Sequence, residues 1–444
     1  MASKFLHVVT NSEVTCFRQC KAKHGFAYFD LLRPLLTPHA LAWGDLYHHG
    51  ADVGWTAAWS VAEMSTDARL AAALGAAPIA IAERAAEHIR TIEATTFPGD
   101  VDKNALCEET EQAAKGASWS VGHYFQQARG DLSMVPLMIE GQYQTQIPTA
   151  AGRPGKLASA GKIDLALWDR ELGRIVVQDH KGTANDVHSI EKRLELDTQL
   201  VGYVCAVKAQ LDRIGAGNFT QLVTELPTTA AARLVIARQW PEVHGATVGS
   251  IGYNVVRRKM PSTPSLNLLK KSQCRTPEQF ELLRAQDADG EPRGEVSVAQ
   301  IDTLHPYYQA ALEAQIMERS LPATDKQLAL LERLKAKGDT YFAQIEYFKN
   351  AEAIDRWRRE LWVEAKLMRA AERDPSLRTR NPMACTLPSS PPCSYSLVCL
   401  NPGDPAALRS YRVAKSKHEE LADGNSVDAT EQPEEESQEV DRWR

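Results

Sequence analysis

Residues 161–181, GKIDLALWDRELGRIVVQDHK, read as two strands joined by a tight turn, because apolar and polar side chains alternate on either side of Asp169–Gly173. Alternation puts Ile175, Val177, Asp179 and Lys181 on one face of the second strand, and Val176, Gln178 and His180 on the other. On the first strand Asp164 shares a face with Lys162 and Ala166. Pairing of the two as a hairpin therefore brings Asp164 and Asp179 toward one cation. Carboxylates are hard oxygen donors that suit Mg2+ or Mn2+, ions that keep waters available as nucleophiles. The ammonium of Lys181 can orient such a water and stabilise charge developing on a phosphate. An isolated Asp-x-Lys is more often a surface ion pair, so the assignment depends on what surrounds it.

Outward from the hairpin the pattern continues. Fourteen residues separate Asp164 from Asp179, and Gln199-x-x-x-Tyr203 follows in a segment of helical period, one turn apart and so on one face. This succession of G-x-x-D, D-x-K and Q-x-x-x-Y resembles the PD-(D/E)XK nuclease superfamily, in its RecB-like branch, with Asp in place of the commoner Glu before x-Lys. The resemblance implies an α/β fold with a restriction-endonuclease-like central mixed sheet flanked by helices. It implies metal ligation by Asp164 and Asp179, with the backbone carbonyl of His180 as a further ligand, and a catalytic part for Lys181. Gln199 and Tyr203 would contact DNA or brace the site. The same branch carries a histidine on an early helix in a G-x-x-x-H context, which Gly44 to His48 fits, with His49 as the alternative. Imidazole is a reasonable ligand for Mn2+ and an unusual one for Mg2+, so His48 hints at manganese. Glu140 stands where many relatives have an acid.

Eight cysteines in a chain without a secretory signal argue against a disulfide framework. Cys385, Cys393 and Cys399 lie in NPMACTLPSSPPCSYSLVCLN, with seven and five intervening residues. Three thiols so close suggest a bound metal or cluster, Zn2+ being the rival to iron-sulfur, and Cys20 or Cys16 must supply a fourth ligand. Cys107, Cys205 and Cys274 read as packing. In the AddB-like and CRISPR-associated iron-sulfur exonucleases of the RecB-like branch, one early and three late cysteines hold a 4Fe-4S cluster. That resemblance selects Cys20, and the long gap after Cys385 resembles phage-borne members. The cluster would join the N- and C-terminal helical segments as a clip, and closing roughly 365 residues is worth about 6 kcal/mol in the chain-entropy formula.

The formal charge of -6 misleads until its location is considered: Glu419 to Arg444 holds ten acids and two arginines, leaving +2 for residues 1–418. The chain divides into a helical region with Cys20 and His48 (1–130), a nuclease core (131–260), a C-terminal helical region with three cysteines (261–418) and an acidic, disordered tail (419–444). Besides the hairpin, MIEGQYQTQI, ARLVIARQW and TVGSIGYNVVRRK carry strand signals. Without a run of eighteen apolar residues or a leader-like N-terminus, a cytoplasmic location away from membranes is expected. No G-x-x-x-x-G-K-[ST] occurs, so duplex unwinding would need a separate helicase or recombination protein, or the enzyme acts on ends and single strands. Candidate DNA contacts are the Tyr253 to Lys259 segment first, then Lys270 and Lys271, and Arg356 to Arg359 around Trp357. The resemblance implies a DNA exonuclease of recombination, repair or phage DNA processing; the alternative is a non-catalytic DNA-binding adaptor in a recombination or CRISPR-like complex.

Overall fold

Residues 161–181 form the hairpin that their alternation requires. The structure is a computed structural model describing residues 7–36, 38–60, 65–149, 153, 155–215, 243, 246–287, 289–299, 302–385 and 393–421. In chain order, β1 (His7–Thr10), α1 (Asn11–Gln19), α2 (Lys21–His24) and β2 (Leu32–Pro34) precede three long helices, α3 (His39–Trp59), α4 (Thr66–Ala94) and α5 (Lys103–Gln127). Then come β3 (Val135–Ile147), β4 (Leu157–Asp169), β5 (Arg174–Thr183), α6 (Glu191–Glu195), α7 (Gln199–Gly215) and β6 (Thr247–Arg257). Strand ARLVIARQW, expected from sequence, lies outside the described residues.

Asp169 Oδ1 accepts from the backbone N–H groups of Glu171 and Leu172, both at 3.1 Å, and Gly173 closes the turn at φ 62°, where a side chain would be strained. The register runs from Asp169↔Arg174 to Leu165↔Gln178. β4 is long enough to serve several partners: β3 pairs with it antiparallel from Leu157 to Trp168, while β1 runs parallel to its first residues and β5 antiparallel to its last. The result is a mixed six-stranded sheet, ordered β1-β4-β5-β6-β9 with β3 on β4, β9 being Phe342–Tyr347. This is the helix-flanked α/β sheet that the resemblance implied.

Helices α3, α4 and α5 pack against one another because α3 is smooth on one side. A Cβ on Gly50 would meet Ile81 Cδ1 at 2.5 Å, and one on Gly54 would meet Phe125 Cε2 at 2.5 Å. Trp55 Nε1 donates to Tyr124 OH at 2.8 Å across the same contact. α3 also packs on β3, which carries His48 to the sheet.

Contact clustering divides the chain into two units. One comprises Met1–Lys181, Lys192–Asn254 and Gln344–Arg444; the other comprises Gly182–Glu191 and Val255–Ala343. The stretch after residue 260 that reads as one helical region thus contributes to both. The second unit has the hairpin β7 (Leu266–Leu268) and β8 (Arg293–Val296) with α8 (Pro277–Gln286), α9 (His305–Arg319) and α10 (Asp325–Lys337), around a core of Val296, Tyr308, Leu312, Leu330 and Leu334. Among the described residues no helix is long and apolar enough to cross a membrane.

In the first unit the chain ends are held together by protein. α11 (Ala351–Arg373) packs Leu361, Ala365 and Met368 against Val9, Val14 and Phe17, and β10 (Tyr411–Val413) pairs antiparallel with β2. Glu13, fully buried on α1, lies 3.0 Å from His24 Nε2, 2.6 Å from Lys417 Nζ and 3.3 Å from His418 Nε2. Burial pushes this carboxyl up, but the hydrogen bonds from His24 and His418 and the charge of Lys417 outweigh it and hold it far below the usual carboxylate range. Of the expected acidic tail, Glu419–Leu421 form a turn, with Glu419 bound by Arg412 at 2.8 Å; residues 422–444 lie outside the described ones. Removing this buried carboxylate leaves the Lys417 ammonium uncompensated and takes an acceptor from two imidazoles. Glu13→Ala should therefore lower stability by about 3–5 kcal/mol in denaturant unfolding, and a loss under 1 kcal/mol would refute this role.

Candidate metal centre

Extending the β4–β5 register by one pair beyond Leu165↔Gln178 places Asp164 across from Asp179. Both are buried, at 8% and 1% exposure, so two like charges sit together out of water. Facing them from β3 is Glu140, between the pairs Ile139↔Leu165 and Gly141↔Ile163. Its φ of 48° is left-handed, a conformation a non-glycine residue holds in a strand only when its surroundings over-determine it.

His48 reaches in from α3, its Nδ1 3.4 Å from both Glu140 Oε1 and Asp164 Oδ2. One ligand atom from each of His48, Glu140 and Asp164 lies within 4.8 Å of the others, the only such group of His, Cys, Asp or Glu among the described residues. Burial alone would push His48 down, but Asp164 and Glu140 lift its imidazole to about 9. Burial first, and then the charges of Asp179 and Glu140, raise Asp164 to about 8 against the pull of His48. An imidazole nitrogen and two carboxylates held this close fit a divalent cation of the Mg2+ or Mn2+ kind, which offsets the repulsion that protons otherwise relieve. Asp52, one turn beyond His48, adds a half-buried carboxyl lifted to about 7 by burial and by Glu140.

Asp179 is engaged on both oxygens. Lys181 Nζ lies 2.8 Å from Oδ2, and Tyr203 OH donates to Oδ1 at 3.2 Å. Lys181 also donates to Gln199 Oε1 at 2.7 Å, and Gln199 Nε2 donates to Tyr203 OH at 2.6 Å, which closes a ring of four side chains. Burial would lower the lysine, but Asp179 and Asp164 raise it, so it stays an ammonium. Gln199 and Tyr203 share one face of α7 as their spacing requires, and they brace Lys181 and Asp179. His180 contributes its peptide N–H, which donates to Asp164 Oδ2 at 2.8 Å. Its ring is buried edge-on against Tyr47, His48 and Tyr124 and is kept neutral by burial and by the charges of His48 and Lys181.

Behind β5, Gln178 donates to Asp131 Oδ2 at 2.9 Å and accepts from Asn254 Nδ2 at 2.9 Å, while Gln344 Nε2 also donates to Asp131 at 2.5 Å. This buried network holds the back of the strand that presents Asp179. A polar residue inside Ile175-Val176-Val177-Gln178 was its one sequence signal.

The Tyr253 to Lys259 segment, a candidate DNA contact by composition, is buried at its start and open at its end, with the Lys259 side chain 64% exposed. Tyr253 and Asn254 are buried, at 1% and 0% exposure, so no base can stack there, and Arg257 and Lys259 both pair with Asp302, at 2.5 and 2.7 Å. Trp357 packs over Gly202, where an added Cβ would meet its ring at 3.2 Å, while Arg356 and Arg358 pair with Glu352 and Asp355. Among the described residues, the cysteines expected to bind a cluster form no group compact enough for one ion. They do share a neighbourhood: burial raises Cys399, and Cys20, Cys385 and Cys393 raise it further against Arg380.

No curated protein matches the chain. The family profile described as the PD-(D/E)XK nuclease superfamily matches residues 9–400, which takes in the whole site from His48 to Tyr203. With that coverage and this arrangement of acids and lysine, the chain belongs to the PD-(D/E)XK nuclease superfamily, nucleases that use divalent metal ions.

Proposed function

We propose that the chain is a DNA exonuclease of the RecB-like, AddB-like iron-sulfur branch, of phage type, working in recombination, repair or phage DNA processing beside a separate helicase or recombination protein. One observation carries the catalytic part of the reading: His48, Glu140 and Asp164 converge next to the ring of Asp179, Lys181, Gln199 and Tyr203. The exonuclease mode and the pathway rest on resemblance to that branch. An adaptor without chemistry would have no use for an ammonium held against a buried carboxylate at the edge of a cation site.

His48, Glu140 and Asp164 would hold the cation, and Asp179 and the carbonyl of His180 would complete its surroundings. When bound, the cation polarises the scissile phosphate and makes water a better nucleophile. Lys181, oriented by Gln199, donates toward the phosphate oxygens where negative charge develops. Tyr203 fixes Asp179 so that the carboxylate keeps its aim while Lys181 moves between Asp179 and substrate.

Cys20, Cys385, Cys393 and Cys399 are assigned as ligands of a 4Fe-4S cluster. Support comes from Cys399, whose thiol is raised by Cys20, Cys385 and Cys393. Cys16 lies in the same neighbourhood, its buried thiol pushed up to about 11 by burial and further by Cys20 and Cys393, and the resemblance selects Cys20 in its place.

Three outcomes are expected. Asp164→Asn and Asp179→Ala should each cut hydrolysis of end-labelled DNA with Mn2+ by about a hundredfold or more, and Lys181→Met by a similar factor without weakening Mn2+ binding; a wild-type rate in Asp179→Ala would return the adaptor reading. His48 and Asp164 both have raised pKa values, so their protons must leave before the ion enters. Calorimetric Mn2+ affinity should thus rise from about pH 6 to about pH 9, up to about tenfold per pH unit for each proton released; a flat profile would remove these two from the ligand set. Anaerobically purified protein should absorb in the visible and contain about four irons per chain, lost in Cys399→Ser and kept in Cys16→Ser. A colourless protein with one zinc would overturn the cluster.

A further inference from the structure

The last described residues pass a surface of one charge. Arg18, Lys23, Arg33, Lys181, Arg193 and Arg412 line a cavity of about 1070 Å3, and Asp197 is the one acid among its described lining residues. Arg18 and Lys181 are held by Glu364 and Asp179, at 2.5 and 2.8 Å. Lys23 donates to the neutral Gln19 at 3.0 Å, and no ion pair joins Lys23 or Arg193 to an acid among the described residues. Cations gathered on one concave surface attract a polyanion.

Arg412 already holds the first acid of such a run. Both its terminal nitrogens donate to Glu419, at 3.0 and 2.8 Å, and the Lys415 peptide N–H donates to the same carboxylate at 3.1 Å. The Leu421 carbonyl then accepts from Gln142 Nε2 at 3.2 Å, two residues along β3 from Glu140. Residues 422–444, which lie outside the described ones, hold eight acids and two arginines, a net of -6, and five of those acids fall between Glu431 and Glu439. Glu431 is ten residues past Leu421, up to about 33 Å of extended chain. A tether of that length gives the acids an effective concentration of about 1 mM, so ion pairs that are individually weak in water add up to a contact. A separate acidic partner has no such advantage.

We propose that residues 422–444 occupy this cavity as an internal polyanion, their glutamates on Lys23 and Arg193, so that any incoming polyanion must displace them. The proposal goes beyond the nuclease reading: it concerns what fills the basic surface in the resting protein, and it stands whether or not the protein cuts.

Two measurements on the full chain test it. Carbodiimide couples a carboxylate to an amine only where the two meet. It should join Lys23 to glutamates between Glu431 and Glu439 within one copy, and the bonds should be lost at about 1 M salt, where charges are screened beyond about 3 Å. Coupling of those glutamates to Lys115 and Lys208, exposed lysines that do not line the cavity, as readily as to Lys23 overturns the proposal. Bonds that join isotope-labelled to unlabelled copies also overturn it, since a second copy is then the occupant.

The second measurement titrates a heparin decasaccharide as the competing polyanion. The chain carrying Glu431→Gln, Glu434→Gln, Glu435→Gln, Glu436→Gln and Glu439→Gln should bind it about tenfold more tightly, the gain expected when a tail of about 0.1 mM affinity no longer competes at about 1 mM. The control carries Glu83→Gln, Glu93→Gln, Glu108→Gln, Glu109→Gln and Glu111→Gln, exposed acids of α4 and α5. It loses the same charge and should gain less than about twofold. Equal gains in the two proteins make the effect one of net charge and overturn the proposal, as does an unchanged affinity in the tail variant.

Discussion

Asp164 and Glu140 are carboxylates held with His48 inside a 4.8 Å group, and the charge of buried Asp179 on the neighbouring strand bears on Asp164 as well, an arrangement no chain adopts without counter-charge. Each surrounding element supplies a part of it. α3 brings His48, β5 brings Lys181 next to its own Asp179, and α7 brings Gln199 and Tyr203 to fix that lysine and aspartate. The left-handed backbone at Glu140 is a local cost that makes sense only if its carboxylate is needed where it stands.

Holding such a site requires rigid support on every side. Behind β5, Asp131, Gln178, Asn254 and Gln344 form a connected polar network, so the strand cannot slide without breaking several hydrogen bonds. Above the sheet, Gly50 and Gly54 let α3 approach α4 and α5 closely enough to set His48 in place. Nearer the two ends of the described residues, buried Glu13 ties α1 to Lys417 and His418.

Much of the site was legible because its signals are local. A period of two fixes which residues of β5 share a face with Asp179, and a spacing of four fixes the pairing of Gln199 with Tyr203. Glu140 and Asp52 were harder to read. Glu140 belongs through a backbone conformation that a strand pattern does not announce, and Asp52 through a helix packing that brings distant residues together. The Tyr253 to Lys259 segment shows the same kind of reason. A Tyr-Asn followed by Arg and Lys looks like a stacking contact until burial removes the tyrosine, while Asp302, far along the chain, takes up Arg257 and Lys259.

Sequence by itself determined the hairpin, the facing carboxylates, the lysine and the bracing helix, because backbone periodicity places side chains before any tertiary contact forms. Tertiary structure decided which acids lie close together, which basic groups they pair with and which leucines stay in water. Those properties depend on distance and solvent exposure between elements remote in the chain, and pattern along the chain carries neither.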